Sequence, residues 1–101
     1  SPSGLALVFF AGTVVAPFVE EVFFRGYVFR AYLSAKGPRR AYLYSSLLFA
    51  LVHFNLPVFL PIFAGALVLA FVYHRTGRLL PVMVGHSLNN LLGFLAIALA
   101  S

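Results

Sequence analysis

Three long stretches of this chain contain no Asp, Glu, Lys or Arg, and they constrain the fold more than any other feature. They cover residues 2–19, 41–74 and 79–101. A helix of about 20 apolar residues crosses the ~30 Å hydrocarbon core of a bilayer, so each stretch is long enough for at least one crossing. Charged residues make up 9% of the chain against a usual ~25%. The sequence therefore predicts an all-α, multi-pass transmembrane helical bundle.

The breaks between apolar runs predict about four helices, at residues 3–33, 40–54, 58–74 and 81–100. Pro17 is expected to kink the first helix because it has no N–H to donate to the carbonyl of Thr13. Asn55 and Pro57 are expected to separate the second and third helices. Residues 1–101 form one predicted domain, and the absence of an initial Met suggests a segment of a longer membrane protein.

The basic residues predict the orientation of the bundle in its membrane. The formal net charge is +5, and the basic loops lie at residues 34–40 and 75–78, between apolar runs. Such loops face the cytoplasm under the positive-inside rule and meet anionic lipid there. We therefore expect membrane lipids as partners and no nucleic acid. The compact loops favour a prokaryotic plasma membrane.

Four polar side chains inside the apolar runs are predicted to lie at similar depth. Counted from the basic loops at 1.5 Å per residue, Glu20 lies at ~15 Å, His53 at ~20 Å, His86 at ~12 Å and Asn90 at ~18 Å. A polar group facing hydrocarbon alone would be unfavourable by several kcal/mol. One buried cluster on three helices is the expected arrangement. Asn55 and Asn89 are interpreted as structural, and His74 as interfacial.

The two glutamates of the chain are adjacent, but helical geometry separates their roles. Glu20 and Glu21 point about 100° apart on a helix. Arg25 follows Glu21 by four residues, the favourable spacing for an ion pair with the acid first. Glu21 and Arg25 are therefore predicted to support the site, while Glu20 faces His53. Gly12 and Ala16 precede Glu20 at the same spacing, which allows close approach of another helix.

The residue types are compatible with three kinds of chemistry. In a hydrolase, Glu20 and His53 would activate a water, while His86 and Asn90 would stabilise the oxyanion. In a zinc enzyme, Glu20, His53 and His86 would be the metal ligands. In a transporter subunit, the same groups would line a proton or ion pathway. A non-catalytic immunity or scaffold protein is a further alternative. With no cysteine, a Cys-ligated metal site is excluded.

Three motifs resemble those of a known family. Residues 20–25 read E-E-x-x-x-R, residues 49–53 read F-x-x-x-H and residues 86–90 read H-x-x-x-N. In this order, on separate hydrophobic helices, they resemble the CPBP intramembrane proteases, the family of CAAX prenyl proteases and bacteriocin-processing proteins, also called Abi.

The resemblance implies specific roles and partners. Glu20 would be the catalytic carboxylate acting with His53, and His86 and Asn90 would form the oxyanion site. Glu21 and Arg25 would support the helix that carries Glu20. The implied mechanism needs no cofactor, with a zinc-dependent version as the alternative. The implied substrate is a peptide or a membrane protein, and prenylated chains are one candidate class.

Overall fold

The structure, a computed structural model, describes residues 1–100 and consists of four helices without a strand in that range. They are α1 (Pro2–Lys36), α2 (Pro38–Leu51), α3 (Phe59–Thr76) and α4 (Leu79–Ala100). A short 3₁₀ turn, Leu56–Val58, precedes α3. The all-α class and the number of helices agree with the sequence prediction.

Three of the four helices are long and apolar enough to cross a membrane. They are α1, the stretch Leu56–Thr76 that includes α3, and α4. In contrast, α2 has 14 residues, which correspond to about 21 Å and fall short of a ~30 Å hydrocarbon core. The four predicted helices are all present, and α2 is the short one, whose far end is followed by the connection to α3.

The helix boundaries differ from the predicted ones most at the end of α2. This helix ends at Leu51 rather than at residue 54. Phe54 has a left-handed backbone with a φ of 51°, and Asn55 is extended with a φ of −137°. No sequence signal precedes Asn55, so the early end was not predictable from turn residues. Its consequence is that His53 lies outside the helix.

Two π turns interrupt the regular α-helical hydrogen bonding of α1, at Ala11–Val15 and Phe24–Phe29. The first ends two residues before Pro17, close to where the sequence predicts a disturbance. In this turn the N–H of Ala16 donates to the carbonyl of Ala11, five residues back. The glutamate pair lies between the two π turns. Single π turns of this kind are frequent at functional sites.

The turns between α1 and α2 and between α3 and α4 lie at the same end of the bundle. Gly37 and Gly77 form these turns with positive φ values of 92° and 66°. An apolar cluster beside them joins all four helices and consists of Phe29, Ala41, Ala70, Tyr73 and Val82. Both predicted basic loops therefore occupy one end of the molecule. A second cluster, nearer the glutamates, contains Phe24, Val28, Phe49 and Ala66.

The surface of the described residues is largely apolar, as expected for a protein in contact with lipid. Large side chains such as Leu5, Leu60, Val68 and Ile97 are exposed along α1, α3 and α4. Such a surface would be unfavourable in water, because large contiguous apolar patches drive association. In a bilayer the same side chains contact apolar lipid tails. The exposed surface is thus consistent with the membrane prediction.

Helices α1 and α4 cross closely at Gly12. A Cβ atom built on Gly12 would lie 2.8 Å from Cζ of Phe94 and 2.9 Å from its Cε2. Glycine is therefore the residue that fits at this crossing without moving the Phe94 ring. The small-residue row that the sequence shows before Glu20 has the predicted effect here, since it brings α4 close to α1.

Candidate active site

Glu21 is the buried centre of the polar cluster. Its Oε2 atom lies 2.6 Å from Nδ1 of His86 and 3.3 Å from Nη1 of Arg25. The Arg25 pair has the predicted i,i+4 spacing, whereas the contact with His86 was not predicted. Its other oxygen, Oε1, is buried without a hydrogen-bond partner among residues 1–100. One carboxylate oxygen thus holds side chains from α1 and α4 together.

Arg25 links this centre to α3 and α2. Its Nη2 donates to the backbone carbonyl of Ala66 at 2.5 Å. Its guanidinium lies over the ring of Phe49, 5.0 Å from the ring centroid, in a cation–π geometry. Arg25 itself is buried. A planar guanidinium with several donors suits such a buried position, where it meets a carboxylate, a carbonyl and an aromatic face at once.

Glu20 is more accessible than Glu21, with 34% of its side chain exposed, and it also contacts His86. Its Oε1 lies 3.4 Å from Nε2 of His86. The imidazole beside Glu20 therefore belongs to His86, whereas the sequence prediction had paired Glu20 with His53. The difference arises from the rotation of α4 against α1. This rotation turns the His86 ring between the two glutamates, and the sequence pattern does not specify it.

The imidazole of His86 lies between the two glutamates. Its Nδ1 atom faces the buried Glu21 carboxylate at 2.6 Å, and its Nε2 atom faces Glu20 at 3.4 Å. An ionised carboxylate only accepts, so Nδ1 donates in the contact with Glu21. The ring is therefore held by the buried glutamate and presents its other nitrogen to the more accessible one.

His53 lies on the connection that follows α2, and it is exposed. Its Nδ1 is 2.7 Å from the backbone carbonyl of Phe49. A carbonyl only accepts, so Nδ1 carries the hydrogen, and Nε2 of the neutral ring is left with a free lone pair. Its ring also packs on the Phe49 side chain, with centroids 4.8 Å apart. The Nε2 atom of His53 is therefore left without a hydrogen-bond partner among residues 1–100.

Asn90 is hydrogen-bonded to the backbone of α1. Its Nδ2 donates to the carbonyl of Gly12 at 3.0 Å. That carbonyl lies in the first π turn, where Ala16 donates to Ala11 instead. The residue five positions after Gly12 is Pro17, which has no N–H. The amide of Asn90 thus satisfies a carbonyl that the helix leaves without a partner, and it keeps a second N–H for another acceptor.

A cavity of about 720 Å³ lies among α2, α3 and α4 and is lined by three of the six predicted site residues. His53, His86 and Asn90 line one part of it, together with Asn89. Glu20 is not part of the lining, but it contacts His86, which is. The structure therefore gathers Glu20, His86 and Glu21 in direct contact and places His53 and Asn90 around the adjoining space. This size suits a peptide segment or a small molecule.

Comparison with known proteins identifies the family. The family model for the type II CAAX prenyl endopeptidase Rce1-like proteins matches residues 2–92. The chain belongs to this family. The Rce1-like family is a membrane-embedded family of proteases, which agrees with the resemblance stated from the three motifs and with the three helices long enough to span a bilayer.

A curated relative of this Rce1-like chain is UPF0177 protein YxdF from Lactococcus lactis subsp. lactis. The two are 34% identical over 87 residues, which cover 85% of this chain and 48% of the relative. The chain therefore spans about half the length of the curated relative it matches. No solved structure matches the chain.

The zinc-ligand set considered from the sequence is not assembled in this Rce1-like chain. Among residues 1–100, no three His, Cys, Asp or Glu side chains are placed to share a metal ion. Glu20 and His86 are in contact, but His53 is bonded to Phe49 at the edge of the cavity. The residues present do not fit a zinc ion with Glu20, His53 and His86 as its ligands.

The remaining histidine lies away from the site. Nδ1 of His74 is 3.1 Å from the hydroxyl of Tyr42, at the end of the bundle that holds the basic turns. Asn55 is exposed on the connection. The carbonyl of Ala66 carries no sequence signal and was not predicted as part of the site. Asn89, which the sequence analysis interprets as structural, lines the cavity.

Proposed function

We propose that this chain forms the catalytic centre of an intramembrane endopeptidase that hydrolyses a peptide bond with a water activated by Glu20 and His53. The observation that carries the proposal is the contact of one imidazole with two carboxylates, Glu20–His86–Glu21, beside a cavity large enough for a peptide. Membership of a protease family supports the reaction class.

In the proposed first step, a water in the cavity loses a proton as its oxygen attacks the substrate carbonyl carbon. The free lone pair of His53 Nε2 orients this water, and the Glu20 carboxylate accepts the proton. The attack forms a C–O bond and puts negative charge on the former carbonyl oxygen. Glu20 is suited to this role because its side chain is partly accessible, whereas that of Glu21 is buried.

In the second step, the tetrahedral intermediate collapses and the C–N bond breaks. The free N–H of Asn90 and a hydrogen on Nε2 of His86 donate to the oxyanion, where donors in a dry site have their largest effect. The leaving amine receives the proton that Glu20 took from water. The products are a carboxylic acid and an amine, so the step consumes one water and needs no cofactor.

Glu21 and Arg25 are proposed to position His86 rather than to touch the substrate. The 2.6 Å contact from Glu21 fixes which ring nitrogen of His86 carries hydrogen and how the ring is turned. Arg25 neutralises Glu21 and ties it to α3 through the Ala66 carbonyl. Comparable carboxylate–imidazole pairs orient the histidine in hydrolases of other folds.

The test is a comparison of membrane peptides from cells that carry the wild-type protein or Glu20→Gln. We expect a set of cleavage products that is present with wild type and lost with Glu20→Gln and with His53→Ala, by at least about 100-fold. His74→Ala is the matched control, because this exposed histidine lies at the basic end of the bundle. Cleavage retained by Glu20→Gln would contradict the mechanism.

We further propose that the protein lies in a prokaryotic plasma membrane with residues 34–40 and 75–78 on the cytoplasmic side. The exposed cations at one end of the bundle support this orientation. A peptide or membrane-protein substrate, prenylated or not, would then reach the cavity within the bilayer. Protease protection of a tag inserted after Gly77 tests the orientation, since a tag on the cytoplasmic side is protected in intact cells.

A further inference from the structure

Asn89 lines the same cavity as the catalytic candidates but has no assigned partner. Its side chain is exposed to the cavity, and it makes no hydrogen bond within residues 1–100. Its neighbour Asn90 is committed to the Gly12 carbonyl. A primary amide offers two N–H donors and one carbonyl acceptor. Both N–H donors and the carbonyl acceptor of the Asn89 side chain are therefore available to a molecule bound in the cavity.

The wall that α3 contributes to the cavity is apolar and is open at Gly65. A Cβ atom built on Gly65 would have no heavy atom within 4 Å, so the space beside it belongs to the cavity. Gly85 on α4 also lines this cavity. Glycine disfavours helices by about 1 kcal/mol relative to alanine. Packing within the chain does not explain why glycine, a poor helix former, occupies position 65, since a larger side chain would meet no neighbour there.

We propose that Asn89 hydrogen-bonds a peptide group of the substrate and that Gly65 sets the size of the substrate side chain accepted beside it. A peptide group offers one N–H and one carbonyl, which complement the amide of Asn89. The apolar wall around Gly65 suits an apolar side chain of the same peptide. This inference rests on the proposed function, because it assigns the cavity to the peptide that is cleaved.

The first experiment uses peptides identified as products in the comparison of wild type with Glu20→Gln. They are resynthesised with Ala, Val, Leu or Phe at each position around the cleaved bond. At one of these positions the side chain should lie beside Gly65. For peptides varied at that position, Gly65→Leu is expected to favour the small side chain, so that kcat/KM with Ala divided by kcat/KM with Phe rises at least tenfold. Gly93→Leu is the matched control, since Gly93 is also helical and open but does not line the cavity. An unchanged ratio in Gly65→Leu overturns the size assignment.

The second experiment separates binding by Asn89 from catalysis. Asn89→Ala is expected to raise KM about threefold to tenfold, the effect of one or two lost hydrogen bonds, with kcat changed less than twofold. Asn89→Gln, which keeps the amide, should recover part of the loss. Asn55→Ala is the control, because Asn55 lies outside the cavity lining. A fall in kcat at constant KM overturns the binding role.

A labelling experiment keeps the inference testable without turnover. The chain has no cysteine, so Gly65→Cys gives a single thiol in the cavity and Gly93→Cys gives one outside it. In the Glu20→Gln background, one of the same peptides should slow maleimide labelling of Gly65→Cys at least fivefold and leave Gly93→Cys unaffected. Equal labelling with and without peptide overturns the inference. Persistence of cleavage in Glu20→Gln would instead contradict the proposed function, so the two failures are distinguishable.

Discussion

The two halves of the candidate site differ in how firmly the protein holds them. On the α1–α4 side, Glu21, Arg25 and His86 are buried and joined by ion pairs and hydrogen bonds. On the connection between α2 and α3, His53 is exposed and is held by one carbonyl and one ring. Phe54, the next residue, is 91% exposed in a left-handed backbone.

This difference indicates that folding fixes the α1–α4 side, whereas the connection that carries His53 is free to change its conformation on binding. Removing one partner from a buried charge network leaves another charge unpaired, which destabilises the fold. Replacing an exposed side chain on a connection rarely does so. We therefore expect substitutions on the α1–α4 side to affect stability first. Those on the connection should affect activity with little change in the free energy of unfolding.

The largest expected effect is that of Glu21→Ala. It leaves the buried Arg25 guanidinium without its carboxylate and should lower the free energy of unfolding by about 3–5 kcal/mol. The measurement is denaturant unfolding of the purified protein in detergent micelles. Glu20→Ala on the same helix is the control. It should lower stability by about 1 kcal/mol or less, because its pair with His86 is partly exposed. Equal losses in both variants would remove the distinction between the two glutamates.

Gly12→Val should give the next largest effect. The added side chain would overlap the ring of Phe94 and should lower the free energy of unfolding by about 1–3 kcal/mol. The same unfolding measurement applies. Gly93→Val, on the exposed side of α4, has no neighbouring atom to overlap and serves as the control. A tolerated Gly12→Val would mean that the crossing of α1 and α4 is looser than the structure indicates.

Phe49→Leu tests a residue that contacts both halves of the candidate site. Its ring contacts Arg25 and Phe24 and also packs against His53 on the connection. Its loss should lower the free energy of unfolding by about 1–2 kcal/mol through the cation–π and aromatic contacts. The backbone carbonyl that holds His53 is retained. If thermal unfolding shows no shift, the ring does not stabilise the buried half.

Phe54→Gly should have the smallest effect, and with the opposite sign. A left-handed backbone is unfavourable by about 1–2 kcal/mol for a residue with a Cβ, and glycine avoids most of this while adding some entropy to the unfolded chain. We expect a gain of about 0.5 kcal/mol in the free energy of unfolding. A loss above 1 kcal/mol would show that the Phe54 side chain has a packing role despite its exposure.

Much of the fold follows from the distribution of charge and proline in the sequence. The charge-free runs predict the long helices, and Gly37 and Gly77 form the turns that end two of them. The spacing of Glu21 and Arg25 predicts their ion pair. These features are local, so they depend on residues a few positions apart. The early end of α2 is different because turn chemistry at Asn55 and Pro57 does not extend back to Leu51.

The partner of Glu20 could not be predicted because it depends on how two helices are rotated against each other. Depth estimates put His53 within about 5 Å and His86 within about 3 Å of the depth of Glu20, so depth alone does not choose between them and the rotation of the helices decides. The π turn at Phe24–Phe29 contains Gly26 but no proline, and a single glycine in an apolar run does not by itself predict such a turn. The π turn before Pro17 is signalled, but the use of its free carbonyl by Asn90 is not.

The basic residues at one end of the bundle have a consequence for how the protein enters its membrane. Six exposed cations lie at or near the turns at Gly37 and Gly77: Arg30, Lys36, Arg39, Arg40, Arg75 and Arg78. Each is unfavourable in the bilayer centre by about 2.5–3.5 kcal/mol, so moving all six across together would require roughly 15–20 kcal/mol. The inverted orientation is therefore inaccessible once the helices are inserted. The turns at Gly37 and Gly77 therefore stay on the side of the membrane where insertion first leaves them.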